Sequence, residues 1–163
     1  MLKLDEILQG VKRAGIAGHV RPDGDCTGSC LALYQYLRMY YPEVSTDVYL
    51  EEIPNSFHML TGADEIRHEL PEDTGYDVFF ALDCGDTKRL GFAGTLFEQA
   101  KKTVCIDHHV SNLAFADVNQ IVPDASSTSE LIYNLLEKER ITKEIAEALY
   151  LGIVHDTGVF QYS

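Results

Sequence analysis

The sequence predicts an α/β domain built on a mostly parallel β-sheet with helices on both faces. Apolar runs of strand length alternate with helix-like spacings along the chain, which is typical of successive β-α-β units. Residues 76–82 form an almost continuously apolar run, as expected for a strand covered on both faces. Acidic residues and histidines follow several of these runs, where parallel sheets bind their ligands. Together these observations predict both the fold class and the place of a site.

The first half of the chain contains two strand patterns and one long helix pattern. Residues 1–15 predict an amphipathic helix, and residues 16–20 a short strand. A helix follows, with an apolar face at i, i+3, i+4 and i+7, and Pro42 ends it. Residues 44–50 alternate as a strand does, and residues 54–64 predict a short helix between loops.

The second half repeats the alternation. After the strand at 76–82, residues 92–102 predict a helix and residues 103–106 another buried strand. Ser127 and Glu130 have the spacing of a capping box, which predicts a helix starting there. Thr142 is placed to cap a last helix with apolar residues at helical spacing.

Length and composition favour one globular domain. The chain has 163 residues, of which 45% are apolar and 24% charged, enough to bury a core and too apolar for a disordered chain. No apolar run approaches the ~20 residues of a membrane span, and the N-terminus does not resemble a signal peptide. We therefore expect a cytoplasmic protein without membrane association. No dimerisation signal is present, so the oligomeric state stays open.

The net charge of −13 restricts the binding partners. An acidic surface repels phosphate backbones, because nucleic-acid affinity depends on basic side chains. The acids are either a solvated surface or, in part, ligands of metal ions. The four cysteines include no CxxC pair, so we expect them to be small buried side chains in a reducing compartment. The alternative is a zinc site that uses Cys26 and Cys30, which are four residues apart.

Polar clusters follow three predicted strands and the last helix. Each alone fits a turn or a helix cap. If the strands are neighbours, the clusters converge, and their carboxylates and imidazoles suit one or two divalent cations, with Mn²⁺ fitting a mixed shell. Two cations ~4 Å apart generate hydroxide near neutral pH and stabilise a phosphoryl group under attack. The clusters are His19, Asp23 and Asp25; Asp83; Asp107, His108 and His109; and His155 and Asp156.

Two other phosphate-binding patterns fit less well. Residues 24–29 lack the lysine and the spacing of a P-loop. Asp23, Asp25 and Thr27 match the DxDxT pattern of haloacid-dehalogenase-type phosphatases, in which the first Asp is the nucleophile. That pattern is short, two residues separate it from its strand, and it leaves the histidine pair unused.

With these motifs in place, the sequence resembles the DHH phosphoesterases, named for Asp-His-His. His19 to Ser29 resembles the first motif, HxxPDxDxxGS, and residues 81–83 the second. Residues 107–109 resemble the third motif, and residues 155–160 the fourth, which contains DTGxF. Four motifs in the family's order cover nearly the whole chain. The sequence is most similar to the branch of oligoribonucleases and 3′-phosphoadenosine-5′-phosphate phosphatases (nanoRNases).

The resemblance implies a two-metal site, usually with Mn²⁺, although Mg²⁺ or Co²⁺ would also fit. It implies that Asp83 bridges the ions and that a water shared by them is the nucleophile. Asp107 would orient a histidine, and His109 would face the phosphate as donor or general acid. Arg21 is the expected phosphate contact; Lys88 and Arg89 fit either that role or a solvated loop. The implied ligands are His19, Asp23 and Asp83 for one ion, and Asp25, Asp83, His108 and Asp156 for the other.

The resemblance also limits what to expect of this chain. Members of the family carry a second, C-terminal domain that binds the nucleotide, whereas residues 1–163 correspond to the first domain alone. We therefore expect weak or no turnover from the isolated domain on short RNA or DNA oligonucleotides or small nucleotide phosphates. The alternatives are a family II-type inorganic pyrophosphatase, which shares the motifs, and a non-catalytic binding module.

Overall fold

The computed structural model describes residues 2–157, which form a five-stranded, all-parallel sheet in the order β2-β1-β3-β4-β5. The predicted α/β class is confirmed. The strands are β1 (Arg13–Ala17), β2 (Ser45–Tyr49), β3 (Val78–Leu82), β4 (Lys102–Asp107) and β5 (Val118–Ile121). The α-helices are α1 (Leu4–Ile7), α2 (Gly24–Tyr40), α3 (Gly94–Gln99), α4 (Thr128–Leu135) and α5 (Lys143–Asp156).

Both faces of the sheet are covered, because successive side chains of a strand point to opposite sides. Ile16, Phe80 and Ile106 join the larger apolar cluster, which includes buried residues of α2, α4 and α5. Phe79 and Ala81 join the smaller cluster, to which α3 contributes. The near-continuous apolar run in β3 follows from this double burial.

The chain direction creates a crevice between β1 and β3. After β1 the chain continues into α2 and reaches β2 on one side, whereas after β3 it continues through α3 to β4 on the other side. Ligands of open parallel sheets bind beyond the carboxyl ends of the strands at such a switch point. The polar residues after both strands meet there.

Several predicted element boundaries differ from those in the structure. The N-terminal helix has only four residues, and β1 begins at Arg13, three residues before the predicted strand, because pairing with β2 and β3 extends it backwards. Residues 54–64 contain only short 3₁₀ turns, at Asn55–Phe57 and Ala63–Glu65. The helix predicted at 92–102 is shorter, because Lys102 already pairs with β3.

The edge strand β5 is missing from the sequence prediction. Its residues Val118–Ile121 are all half-buried and two of them are amides, so they lack the apolar run of an inner strand. Pairing with β4 alone makes them a strand.

Helices α2 and α5 pack closely because glycines remove side chains from their contact. A Cβ atom on Gly28 would lie 2.3 Å from the backbone oxygen of Ala148. A Cβ atom on Gly152 would lie 3.1 Å from Oδ1 of Asp25 in α2, and 1.8 Å from Oγ of Ser129 in α4. This packing brings Asp25, near the start of α2, close to Asp156, at the end of α5. Within the described residues, no helix has both the length and the apolarity of a membrane span.

Candidate metal centre

The sequence-predicted site residues meet at the carboxyl end of the sheet. Three groups of residues can each hold a cation, because the ligand atoms within each group lie within 4.8 Å of one another. The groups overlap, since some residues belong to two of them. The groups are His19, Cys26 and Asp83; Asp83, His108 and His109; and Asp25, His108 and Asp156. A fourth group, Asp23, His155 and Asp156, adjoins them. The strand-end clusters thus form one contiguous set of acids and imidazoles.

His19 presents one ring nitrogen to two carboxylates. Its Nδ1 lies 2.7 Å from the backbone oxygen of Val20. When Nδ1 donates there, Nε2 of the neutral ring is an acceptor. That Nε2 lies 3.3 Å from Oδ2 of Asp83 and 3.5 Å from Oδ1 of Asp23. Three acceptor atoms face one another, so the arrangement requires a proton or a cation between them.

His108 makes the matching contacts on the other side of Asp83. Its Nε2 lies 3.0 Å from Oδ2 of Asp156 and 3.6 Å from Oδ2 of Asp25. It also lies 3.6 Å from Oδ1 of Asp83. Asp83 therefore faces His19 with one carboxylate oxygen and His108 with the other.

The backbone and a threonine hold Asp83 in this position. Asp83 has a left-handed backbone conformation, with φ of 56°, which is uncommon for a residue other than glycine. Its backbone N–H donates to the oxygen of Ile106 over 3.1 Å, and the Thr128 hydroxyl donates to its Oδ1 over 3.1 Å. Such unusual conformations persist where the surroundings determine them and cluster at functional sites.

The start of α4 binds Asp25. The backbone N–H groups of Thr128 and Ser129 donate to Oδ2 and Oδ1 of Asp25, each over 2.9 Å. The first N–H groups of a helix lack partners within the helix and favour a negative charge. The capping-box pattern at Ser127 marks the start of α4, but nothing in it indicates which carboxylate its free N–H groups meet.

A separate triad lies beside these ligands. His109 Nδ1 lies 2.6 Å from Oδ1 of Asp107, and the Asn112 side chain donates to Oδ2 of Asp107 over 2.9 Å. Asn112 also donates to the backbone oxygen of Cys84, and its own Oδ1 accepts from the Ala114 N–H. Asp107 is fully buried, whereas His109 is exposed. Sequence reasoning missed Asn112, because an asparagine in a loop carries no signal of its contacts.

The close packing of acids shifts their protonation. Burial, with the negative charges of Asp83 and Asp156, raises the pKa of Asp25. Burial also raises the pKa of Asp83, but hydrogen bonds from His108 and His19 outweigh it and lower the pKa below the usual range. Hydrogen bonds to Asp156 and Asp83 raise the pKa of His108 to about 11. Without a cation, the site therefore binds protons strongly, and these protons offset part of the negative charge of the acids.

The donor set fits divalent cations. Carboxylate oxygens with imidazole nitrogens suit Mn²⁺ and similar ions, and a bound cation would replace the proton that the acceptors around His19 require. Cys26 belongs to the group that contains His19 and Asp83. Its thiol donates to the backbone oxygen of His19 over 3.8 Å, and all four cysteines are buried.

A cavity of about 210 Å³ opens beside His19 and His109. Arg21 follows the strand end with φ of 51°, and its backbone N–H donates to Oε1 of Glu51 over 2.7 Å. The phosphate contact assigned to Arg21 stays a prediction. His155 is exposed, with Nδ1 4.0 Å from Oδ1 of Asp156. The fourth motif continues to Phe160, and its residues after Thr157 lie outside the described part. The cavity is lined by His19, Asp23, Asp83, Gly85, Asp86, Arg89, His109 and Ser111.

Known proteins resemble this chain over most of its length. It is 33% identical over 150 residues to the bifunctional oligoribonuclease and PAP phosphatase NrnA of Bacillus subtilis, which covers 88% of this chain and 46% of that protein. The protein of the same name from Thermus thermophilus is 29% identical, over 91% of this chain and 44% of that protein. The chain thus spans about half the length of these relatives.

A solved structure matches the fold. The crystal structure of an exopolyphosphatase-related protein from Bacteroides fragilis superposes with a TM-score of 0.86 and 28% identity, over 98% of this chain and 50% of that one. A family model described as "DHH family, N-terminal domain" matches residues 13–153, which confirms the family indicated by the four motifs. On this match, the chain belongs to the DHH family and contains its N-terminal domain.

Proposed function

We propose that this chain is a divalent-metal phosphoesterase domain that hydrolyses short oligonucleotides and 3′-phosphoadenosine 5′-phosphate. One observation carries the proposal: Asp83 faces His19 with one carboxylate oxygen, at 3.3 Å, and His108 with the other, at 3.6 Å. A carboxylate placed between two imidazoles is suited to bridge two cations. The substrates of the NrnA relatives support the substrate class, although those proteins are about twice as long.

Two ions, which we propose to be Mn²⁺, would share Asp83. When bound, they would lower the pKa of water and neutralise the charge that develops on the phosphoryl group. Their positive charge would also let an acidic site accept an anionic substrate. We assign His19, Asp23 and Asp83 to one ion, and Asp25, Asp83, His108 and Asp156 to the other.

His109 would deliver a proton at the substrate. Its Nδ1–H donates to Asp107, so Nε2 is the ring atom available to substrate in the cavity that His109 lines. The hydrogen bond to Asp107 raises the pKa of His109, which favours a proton on both nitrogens. A protonated Nε2 can donate a hydrogen bond to a phosphate oxygen or a proton to the leaving oxygen. Asp107 does not touch substrate and acts by orienting the ring.

Hydrolysis of inorganic pyrophosphate is a second candidate function. The matching solved structure is described as exopolyphosphatase-related, which favours a phosphoanhydride over a phosphodiester. The acid and histidine set would serve either reaction, since both transfer a phosphoryl group to water. A direct comparison of pyrophosphate with the dinucleotide pApA separates them.

Metal stoichiometry and turnover together test the proposal. Mn²⁺ is titrated calorimetrically into chelator-stripped protein, and hydrolysis of pApA, 3′-phosphoadenosine 5′-phosphate and pyrophosphate is then measured. We expect about two ions per chain, and loss of both binding and hydrolysis in Asp83→Ala. Asp124→Ala, which removes an exposed carboxylate, is the matched control.

Each failure has a distinct meaning. An Asp83→Ala variant that keeps two ions and full hydrolysis contradicts the bridged site. Metal binding without hydrolysis of any of the three substrates contradicts the proposed turnover by this chain, and is the result expected of a non-catalytic module or of a catalytic domain that needs a second domain. Hydrolysis confined to pyrophosphate favours the second candidate function.

A further inference from the structure

Among residues 2–157, one permanently charged side chain lines the cavity beside His109. Its lining includes three acids, Asp23, Asp83 and Asp86, together with the guanidinium-bearing Arg89. An arginine stays protonated at any physiological pH, unlike the two histidines of the cavity wall. Arg89 is therefore the fixed positive charge in an otherwise acidic wall.

The backbone of Arg89 is anchored on both sides. Its N–H donates to Oδ1 of Asp86 over 3.0 Å, at the start of the 3₁₀ turn Thr87–Ala93. Its carbonyl oxygen accepts from the N–H of Val20 over 2.7 Å. Because Val20 directly follows His19, this bond joins the loop after β3 to the loop after β1 and places Arg89 beside the candidate ligands.

The Arg89 guanidinium lacks a carboxylate partner among residues 2–157. This is unexpected in a chain with twice as many acidic as basic residues, 26 against 13. Four other arginines do lie within 4.0 Å of a carboxylate: Arg13, Arg38, Arg67 and Arg140. Because Arg89 lines a cavity and makes no ion pair with any carboxylate of residues 2–157, its charge is available to a ligand.

Two small residues line the same cavity as Arg89. Ser111 lines the same cavity, and in the part of the chain described here its hydroxyl makes no hydrogen bond to protein. Gly85 also lines this cavity, and a Cβ atom there would stand 3.7 Å from Oγ of Ser111 and 4.0 Å from Cβ of His109. Ser111 and Arg89, which carry a hydroxyl and a guanidinium, thus line the same cavity as His109.

We propose that Arg89 and Ser111 form a phosphate-binding subsite beside His109, an inference that rests on the proposed phosphoesterase function. The guanidinium presents a planar fork of N–H donors that matches two phosphate oxygens, and the Ser111 hydroxyl adds a third donor. The phosphate is either the scissile group or the terminal 5′-phosphate, which lies one nucleoside to its 5′ side on a short oligonucleotide. Arg89, rather than Arg21 or Lys88, supplies the basic contact.

Three variants of equal charge change test the subsite. Arg89→Gln, Arg21→Gln and Lys88→Gln each remove one positive charge, and Lys88 is exposed and outside the cavity lining. KM and kcat are measured with Mn²⁺ for the dinucleotides ApA and pApA, which differ by the 5′-phosphate alone. Loss of a charge-assisted, bidentate contact predicts that Arg89→Gln raises KM about 10- to 100-fold. Lys88→Gln should change KM less than about twofold, as a screened surface charge would.

The pattern across the two substrates identifies the phosphate. A loss confined to pApA places Arg89 on the 5′-phosphate, and an equal loss on both places it on the scissile phosphate; either outcome supports the subsite. Unchanged KM values, or an equal loss in Lys88→Gln, overturn it. Unchanged melting temperatures among the variants exclude a folding defect.

Inorganic phosphate provides a readout that needs no turnover. It is titrated calorimetrically into wild type, Arg89→Gln and Lys88→Gln, with and without Mn²⁺. Weaker phosphate binding in Arg89→Gln alone supports the subsite even if the chain hydrolyses neither dinucleotide, in which case the proposed function fails and the subsite stands. Equal binding by all three proteins overturns the subsite and leaves the phosphoesterase proposal to its own test.

Discussion

The side-chain amide of Asn112 donates to Oδ2 of Asp107 over 2.9 Å, and so holds the carboxylate that orients His109. Without that donor, Asp107 would keep a buried oxygen without its partner and could turn away from His109. We predict that Asn112→Ala lowers kcat about 10- to 100-fold with little change in KM, the usual cost of removing a group that orients an active residue.

Asn134→Ala, on the exposed side of α4, is the control for Asn112→Ala. The ring ¹⁵N chemical shifts of His109 give a second readout. If Asp107 no longer holds Nδ1–H of His109, the two tautomers of the His109 ring change in proportion. Wild-type kcat together with unchanged ring shifts would contradict the role given to Asn112.

The N-terminus of α4 should link helix stability to metal affinity. Ser127 caps α4 by accepting from the Glu130 N–H over 3.0 Å, and the first two N–H groups of the helix, those of Thr128 and Ser129, donate to Asp25. Thr142 caps α5 in the same way, accepting from the Ile145 N–H over 3.2 Å. We predict that Ser127→Ala and Thr142→Ala each cost about 1 kcal/mol of unfolding free energy.

Of these two variants, only Ser127→Ala should also weaken Mn²⁺ binding, because α4, unlike α5, presents N–H groups of its first turn to a candidate ligand. Urea denaturation and metal titration of both variants check this. Equal metal affinity in the two variants would mean that the helix start does not orient Asp25.

The glycine at the contact of α2 with α5 should tolerate no side chain. In Gly28→Ala the new Cβ would meet the backbone oxygen of Ala148 at 2.3 Å, so one helix must move. We predict a loss of about 1–3 kcal/mol, as for overpacked cores, together with weaker Mn²⁺ binding because Asp25 and Asp156 move apart. Gly94→Ala is the control, since its Cβ would stand 3.6 Å from the nearest atom, the Thr87 oxygen. Thermal melts that rank Gly94→Ala below Gly28→Ala would refute the prediction.

The metal-free protein should lose stability as the pH rises above neutrality. His108 has its pKa raised from 6.5 to about 11 by hydrogen bonds to Asp156 and Asp83, so the folded state binds its proton more tightly than the unfolded state. That contribution is fully present below pH 6.5 and is lost as the pH rises towards 11. Mn²⁺ should reverse the trend, because a cation replaces the proton and binds better once the proton has left.

Denaturation with chelator and with Mn²⁺, at several pH values between about 6 and 10, measures this trend. Deleting the imidazole in His108→Ala should flatten the slope in chelator. A metal-free protein whose stability is constant over that range would disprove the coupling.

Much of the fold could be predicted from local patterns. The run of residues 76–82 was recognisable as an inner strand because burial on both faces requires apolar side chains at every position. The caps at Ser127 and Thr142 mark the starts of α4 and α5 because a cap is a contact within one turn of helix. By contrast β5, half-buried at the sheet edge, became a strand only by pairing with β4.

The same division holds for the site. The candidate ligands stand in short motifs at the ends of strands and helices, so the sequence by itself determined the fold class, the DHH family and the residues to examine. The partners that orient those residues were decided by tertiary structure. Thr128 and Ser129 meet Asp25 across 103 and 104 residues of chain, and the Arg89 carbonyl meets Val20 across two loops. Contacts of such separation leave no periodicity or spacing in the sequence, because only the order of strands in the sheet brings their two sides together.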